Sequence, residues 1–207
     1  MRRFGYNKGM KSKVLENKRI KKEKLLNAAF LLLSQRDIQD ISIQDIVTLA
    51  GVGKGTFYLY FKDKFQIRDV LIAMEAKDLF DAANAELQKQ DLDSFEDCIL
   101  FVIEHVLDHL DSIRLKFIQK NLSFGVFHNY LQSNYESNDF QYITNFKQLM
   151  KQYHYHFENP EVTLYLILEL VSGSCYESIM HNFPLSIEDL KPYLFDMIRT
   201  ILEKGKP

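Results

Sequence analysis

Chemistry-bearing side chains crowd into one short run of this 207-residue chain, Lys54-Gly-Thr-Phe-Tyr-Leu-Tyr60, with Lys62 and Lys64 just beyond it. Ammonium groups, a hydroxyl and two phenols alternate there with apolar residues. Such groups donate hydrogen bonds to phosphate oxygens and to base edges. A core helix would not place Lys54, Gly55, Thr56, Tyr58 and Tyr60 together, so the run reads as a surface for a polyanion. Other reactive residues are scattered. His105 and His109 stand four apart, a spacing compatible with a metal on one helical face, and His154 and His156 flank Tyr155. No cysteine or carboxylate completes a recognisable ligand motif, so neither a metal nor any other cofactor is expected. The chain has no glycine-rich phosphate loop, nucleophile elbow, paired-carboxylate or HExxH signature, and no enzymatic activity is expected. Cys98 and Cys175 form no metal or redox pair by spacing and read as small buried hydrophobes of a reducing cytosol.

The elements that must position this run are helices. Only four Pro and eight Gly interrupt the chain, and long stretches repeat their apolar residues at a period near 3.6. Charge is unevenly spread. Residues 1–70 hold 15 Lys and Arg against 7 Asp and Glu, whereas the remainder holds 11 against 21. A basic first third and an acidic remainder point to a polyanion-binding module joined to one with another task. Residues 1–16 form a basic arm without apolar period, expected to be flexible, and read either as resembling basic arms that reach a neighbouring minor groove or as a solubilising tail. Helical pattern begins near Asn17 and carries the stripe Leu26, Ala29, Phe30 and Leu33. Ser42 and Asp45 then have the spacing of a capping box, with Ile41 and Ile46 as a hydrophobic staple. Gly51 stands where a residue of positive φ ends the short helix. A second short helix runs from about Lys54 to Phe61. Asp63 caps a longer one, with Gln66 three residues on. Two short helices around a glycine turn make a helix-turn-helix.

The run Ala50-Gly-Val-Gly-Lys-Gly-Thr-Phe-Tyr-Leu-Tyr-Phe-Lys-Asp-Lys64 resembles the signature of TetR-family transcriptional regulators, A-G-V-[ST]-x-G-[ST]-[LIF]-Y-x-[YH]-F-x-[SND]-K. The upstream Ile43-x-x-Ile46-x-x-x-Ala50 fits in register. The likeness is specific over about residues 20–68. One departure is Gly53, where the family has Ser or Thr as N-cap; it costs only a few tenths of a kcal/mol. The resemblance implies an all-α protein with an N-terminal three-helix DNA-binding domain (17–66) and a C-terminal helical domain for effector binding and dimerisation (67–207). It implies a homodimeric regulator on operator DNA, a repressor released by a small effector, with an adaptor or activator governed by a protein partner as the alternative. By position, Lys54 and Thr56 would meet base edges, Gly55 would allow close approach, and Leu59 would touch a thymine methyl. Tyr58, Tyr60 and Lys64 would hold phosphates. Gln44 would contact base or phosphate, and Ser42 the DNA backbone.

Beyond the signature, helices are expected near 64–88, 94–108, 113–119, 138–157, 161–181 and 190–203. The last two carry apolar stripes wider than packing within one chain demands. Leu168, Cys175, Leu194, Met197, Ile198 and Ile201 are therefore the expected dimer contacts. The middle helices are rich in aromatic residues, and Phe101, His105, Phe124, Phe127, Tyr142, Phe146 and Tyr165 are the expected lining of a pocket for an apolar or amphipathic effector. No signal-peptide core is present and no apolar run looks long enough to span a bilayer, so a cytoplasmic protein without a membrane partner is expected.

Overall fold

The protein, seen here as a computed structural model, is described over residues 8–110 and 141–207. Eight α-helices and one 3-10 turn make up these residues: α1 Lys8–Leu33, the 3-10 turn Ile38–Asp40, α2 Ile43–Ala50, α3 Lys54–Tyr58, α4 Lys64–Leu87, α5 Phe95–Asp108, α6 Gln141–Gln152, α7 Pro160–His181 and α8 Ile187–Glu203. No strand occurs among the described residues. The chain divides into two compact units, Met1–Leu71 and Ile72–Pro207, with α4 contributing residues to both. The expected helix at 113–119 lies outside the described residues, as do Phe124 and Phe127; the side chain of Tyr142 is likewise not described.

Helix α1 starts at Lys8 rather than near Asn17. Residues 8–16 carry no apolar period in the sequence, which is why the pattern missed this start. Arg19 supports the helix by pairing with Glu16 at 2.8 Å and Glu23 at 2.9 Å, one turn to either side. The buried face also sits slightly off the expected stripe. Leu25, Leu26, Ala28 and Ala29 are buried, whereas Phe30 and Leu33 are half-buried. Helix α1 packs on α2, and α2 on α3, around buried Ile41, Ile46, Val47, Phe57 and Phe61.

In the second unit, α5, α6, α7 and α8 enclose one apolar cluster built from Phe95, Ile103, Phe146, Phe157, Ile167, Val171, Leu194, Ile198 and their neighbours. The starts of α5 and α8 repeat the device seen at α2. Asp97 N–H donates to Ser94 Oγ at 3.0 Å, and Asp189 N–H to Ser186 Oγ at 3.2 Å. Each cap satisfies an orphan donor and contributes about 1 kcal/mol. Helix α8 begins at Ile187, three residues before the expected start, and carries Pro192 within its length. Helix α7 corrects another expectation, because it is long and apolar enough to cross a bilayer. Its Ile167, Leu168, Val171 and Cys175 are instead buried within this unit.

Two polar contacts knit the unit together. Lys191 of α8 is buried beside Asp108 at 2.8 Å and Glu188 at 3.1 Å. Burial opposes its charge, but the hydrogen bonds it donates to the Asp108 and Glu188 carboxylates hold the lysine above its ordinary pKa. Tyr153 donates its phenol to the Leu92 carbonyl at 2.7 Å and receives the Cys98 thiol at 3.5 Å. The bond with Cys98, then burial, pushes the Tyr153 pKa up to about 12. The unfolded chain ionises first, so this tyrosine's contribution is complete below the ordinary tyrosine pKa and fades as pH rises towards the folded value. Tyr153→Phe should therefore lower stability at neutral pH by about 1 kcal/mol, the net worth of a typical hydrogen bond. It should also flatten the alkaline limb of a melting-temperature profile. A variant that tracks the parent in parallel through the alkaline range would show that Tyr153 does not set that limb.

Candidate nucleic-acid interface

The capping box at the head of α2 is complete. Asp45 N–H donates to Ser42 Oγ at 3.1 Å, and Ser42 N–H donates to Asp45 Oδ2 at 2.8 Å. The Ser42 hydroxyl also donates to that carboxylate at 2.8 Å. The backbone bond from Ser42, then its hydroxyl, holds the Asp45 carboxyl below its ordinary pKa. Helix α2 ends at Gly51, whose φ of 64° and ψ of 37° lie in the left-handed region open to glycine without strain. Val52 N–H closes the turn on the Val47 carbonyl at 3.0 Å. Gly53 is extended at the head of α3 and makes no side-chain cap.

Helix α3 has five residues and is held by its inner face. Phe57 is 0% exposed and sits 5.7 Å from Phe61, ring centre to ring centre. The opposite face carries Lys54, Gly55, Tyr58 and Leu59 into solvent, with Leu59 78% exposed; Thr56 is half-buried. A Cβ at Gly55 would meet nothing within 4 Å. The chain itself therefore does not require glycine there, although glycine in a helix costs about 1 kcal/mol against alanine.

Three expected phosphate or DNA-backbone contacts already have partners inside the chain. The Tyr60 hydroxyl donates to the Lys18 carbonyl of α1 at 3.0 Å. Lys64 Nζ donates to the carbonyls of Gln39 at 3.1 Å and Ile41 at 2.9 Å, fastening the start of α4 to the approach of α2. Ser42 is engaged as the cap. Gln44 lies exposed on α2 with its amide on Thr48 Oγ1 at 3.1 Å. Thr48, with exposed Leu49 beside it, extends this surface one turn further. Neither was expected, although Thr48 stands four residues from Gln44 and the spacing was there to be read. Lys62 and the α1 lysines Lys18, Lys21, Lys22 and Lys24 are also exposed.

The expected effector residues do not gather in one place. Phe101 and His105 are half-buried on α5, with ring centres 6.2 Å apart, and His105 stacks on His109 at 4.1 Å. Phe146 is core, 5.5 Å from Phe95 and 6.1 Å from Phe157. Tyr165 is exposed on α7. Aromatic content marked the region but not which rings would be spent on packing. Among the described residues, no three His, Cys, Asp or Glu side chains could hold a metal together.

The expected dimer contacts also divide. Leu168, Cys175, Leu194 and Ile198 are buried within the chain and cannot be the face that meets a partner. Ile201 is half-buried against the same cluster. Met197 is exposed, together with Tyr193 one turn away on α8 and Val162, Tyr165 and Leu166 on α7. The α8 stripe was wide because it covers two faces: Leu194, Ile198 and Leu202 face inward, while Tyr193 and Met197 face out.

This geometry, two short helices around a left-handed glycine with a solvent-facing second helix, defines a helix-turn-helix on an all-helical scaffold. Residues 25–70 match the family model described as bacterial regulatory proteins, tetR family. The uncharacterized HTH-type transcriptional regulator YvdT of Bacillus subtilis (strain 168) is 50% identical over 44 residues, which are 21% of this chain and 23% of that protein. The chain spans less than a quarter of the length of the curated relatives it matches. Over the whole fold, a TetR-family protein described as a putative transcriptional regulator from Vibrio parahaemolyticus superposes with a TM-score of 0.59 at 19% identity, covering 88% of this chain and 97% of the other. RolR, solved in complex with resorcinol, superposes with a TM-score of 0.61 at 16% identity, covering 93% and 98%. Residues 25–70 thus resemble the tetR family of bacterial regulatory proteins, and the fold resembles that of solved TetR-family proteins.

Proposed function

We propose that the protein is a homodimeric transcriptional regulator that places α3 of each protomer in the major groove of operator DNA. The observation that carries this reading is the outer face of α3, where Lys54, Gly55, Tyr58 and Leu59 are solvent-facing. In such a motif the leading turn of the second helix meets base edges. Lys54 and Thr56 are the specificity contacts, Gly55 the point of close approach, and Leu59 an apolar contact for a thymine methyl. Tyr58 and Gln44 add contacts at the flanks. Lys62 and the exposed α1 lysines supply positive charge near this face. The segment 17–66 is the DNA-binding domain, preceded by a basic arm, and 67–207 serves effector binding and dimerisation.

The regulatory half of the proposal is repression relieved by a small molecule. Supporting it, α4 is one helix with residues in both units, so a shift of its second half would be carried to the helix-turn-helix. Half-sites read by a dimer repeat every ~34–36 Å, so a few ångströms of splay would stop both recognition helices from docking. Binding of resorcinol by RolR supports a small-molecule effector in a protein of this fold.

Fluorescence anisotropy with DNA recovered by selection from random pools tests the reading. Lys54→Ala should change which base pairs are preferred while leaving the melting temperature within about 1 °C, because surface substitutions lie within ±0.5 kcal/mol. Lys64→Met should behave differently. Loss of its two carbonyl contacts should lower stability by about 1–2 kcal/mol and weaken binding to all sequences alike. Equal, sequence-independent losses at unchanged stability for both variants would show that the division between reading and holding is misplaced. Failure of the wild-type chain to select any sequence would overturn the proposal itself.

A further inference from the structure

We infer that the cleft between the second half of α4 and α6 is a binding site for an uncharged, multiply hydroxylated small molecule that carries a short apolar group. The inference rests on the reading of the second unit as the effector-binding part and names the class of effector. The cleft has a volume of about 510 Å³, inside the roughly 300–1,000 Å³ range of small-molecule sites. Its described lining is dominated by carboxamides: Asn84, Gln88, Asn145, Gln148 and Gln152. Asn84 spends Nδ2 on the Phe80 carbonyl at 2.7 Å, which leaves Oδ1 to accept. The other four amides have no side-chain hydrogen bond among the described residues.

A carboxamide offers both donors and an acceptor, and so does a hydroxyl. A row of amides can therefore satisfy neighbouring hydroxyls in either direction without any charge. Charge argues against the alternatives. The one ionisable group among the described lining residues is Asp81, which is paired with Lys77. No Lys, Arg or His stands among the described lining residues, so none of these residues offers a cation to repay the lost hydration of a carboxylate or phosphate.

The apolar end is small. A second cavity of about 50 Å³ shares Asn84, Asn145 and Leu149 with the cleft and is otherwise apolar, with Phe80, Ile103 and Phe146 among its walls. A water needs roughly 10–15 Å³ of such space, so this end takes a group of about three or four heavy atoms and no long chain. Polarity and size together select a hydroxylated head with a propyl-sized tail.

Calorimetry of the full chain with three matched probes tests this. Propyl β-D-glucopyranoside should bind saturably. Its carboxylate counterpart, propyl β-D-glucuronide, should bind at least about tenfold more weakly, and octyl β-D-glucopyranoside, kept below its micelle concentration, no more tightly than the propyl compound. Gln148→Leu, at an exposed position, and the isosteric Asn145→Asp should each weaken the propyl glucoside about tenfold. Melting curves check that both variants stay folded. Tighter binding of the glucuronide or octyl compound, unchanged binding by the folded variants, or no saturable heat with propyl glucoside would overturn the site. DNA binding, measured on the same samples, separates the two readings. Sugar binding that leaves DNA affinity unchanged keeps the site and removes its regulatory role. Intact sequence-selective DNA binding with no sugar binding removes the site and keeps the regulator.

Discussion

Phe57→Ala is expected to destabilise the first unit by about 3–5 kcal/mol, the usual cost of emptying a buried aromatic position. Phe57 is fully enclosed and has Tyr58 edge-on at 5.6 Å and Phe61 at 5.7 Å. The reason for a value in the upper part of that range is the shortness of α3. Five residues close too few backbone bonds to hold a helix in water, so α3 depends on its inner side chain for its position. A small unit falls by about 4–8 °C for each kcal/mol, so the transition of the first unit should drop by well over ~10 °C. DNA binding should disappear before global unfolding is complete. Differential scanning calorimetry beside DNA titration checks this. A loss under about 1 kcal/mol would mean that α3 is held by contacts other than its aromatic anchor.

Charging the outer face of α8 should have the second large effect. Tyr193 and Met197, 67% and 53% exposed, are an apolar pair one turn apart on a helix whose other face is core. In the proposed dimer they are covered, and Tyr193→Asp with Met197→Glu would bury unpaired carboxylates there. Sedimentation should show monomers. Operator affinity should fall by about a hundredfold or more, because two half-sites would no longer be held by one linked pair of recognition helices. The melting temperature of the isolated protomer should change little, since neither side chain belongs to its core. If the double variant still sediments as a dimer, the face that meets the partner lies elsewhere. A wild-type protein monomeric at micromolar concentration would remove the dimer altogether.

Much of the scaffold was legible in the sequence because it is written locally. The Ser42 and Asp45 pair, Gly51 and the Asp63 cap each follow from two or three residues, and their geometry is as the spacing requires. The caps at Ser94 and Ser186 use the same Ser-x-x-Asp spacing and could have been read the same way. What was illegible depends on which side of a helix faces inward. The α8 period identified Leu194 and Met197 with equal force, yet only the first is buried, because periodicity gives the axis of a stripe and not its partner. The site residues show a related limit. Ser42, Tyr60 and Lys64 have side chains suited to phosphate, but the local cap to Asp45 engages the first, and tertiary contacts to Lys18, Gln39 and Ile41 engage the other two. The amide-lined cleft escaped notice because Asn84, Gln88, Asn145, Gln148 and Gln152 come from segments far apart in the chain and form no motif.

The division on α3 and around it bears on how such a protein changes over generations. Lys54, Gly55 and Leu59 carry no packing duty, so a substitution at any of them alters what is touched outside the chain while the scaffold stays intact. Lys64, Tyr60 and Ser42 are tied to main-chain groups or to a cap, so substitutions there are paid in stability. Drift in target preference can therefore accumulate on a few outward positions without first passing through unfolded intermediates. After duplication, two copies could part company in the sites they read long before they differ in how they fold.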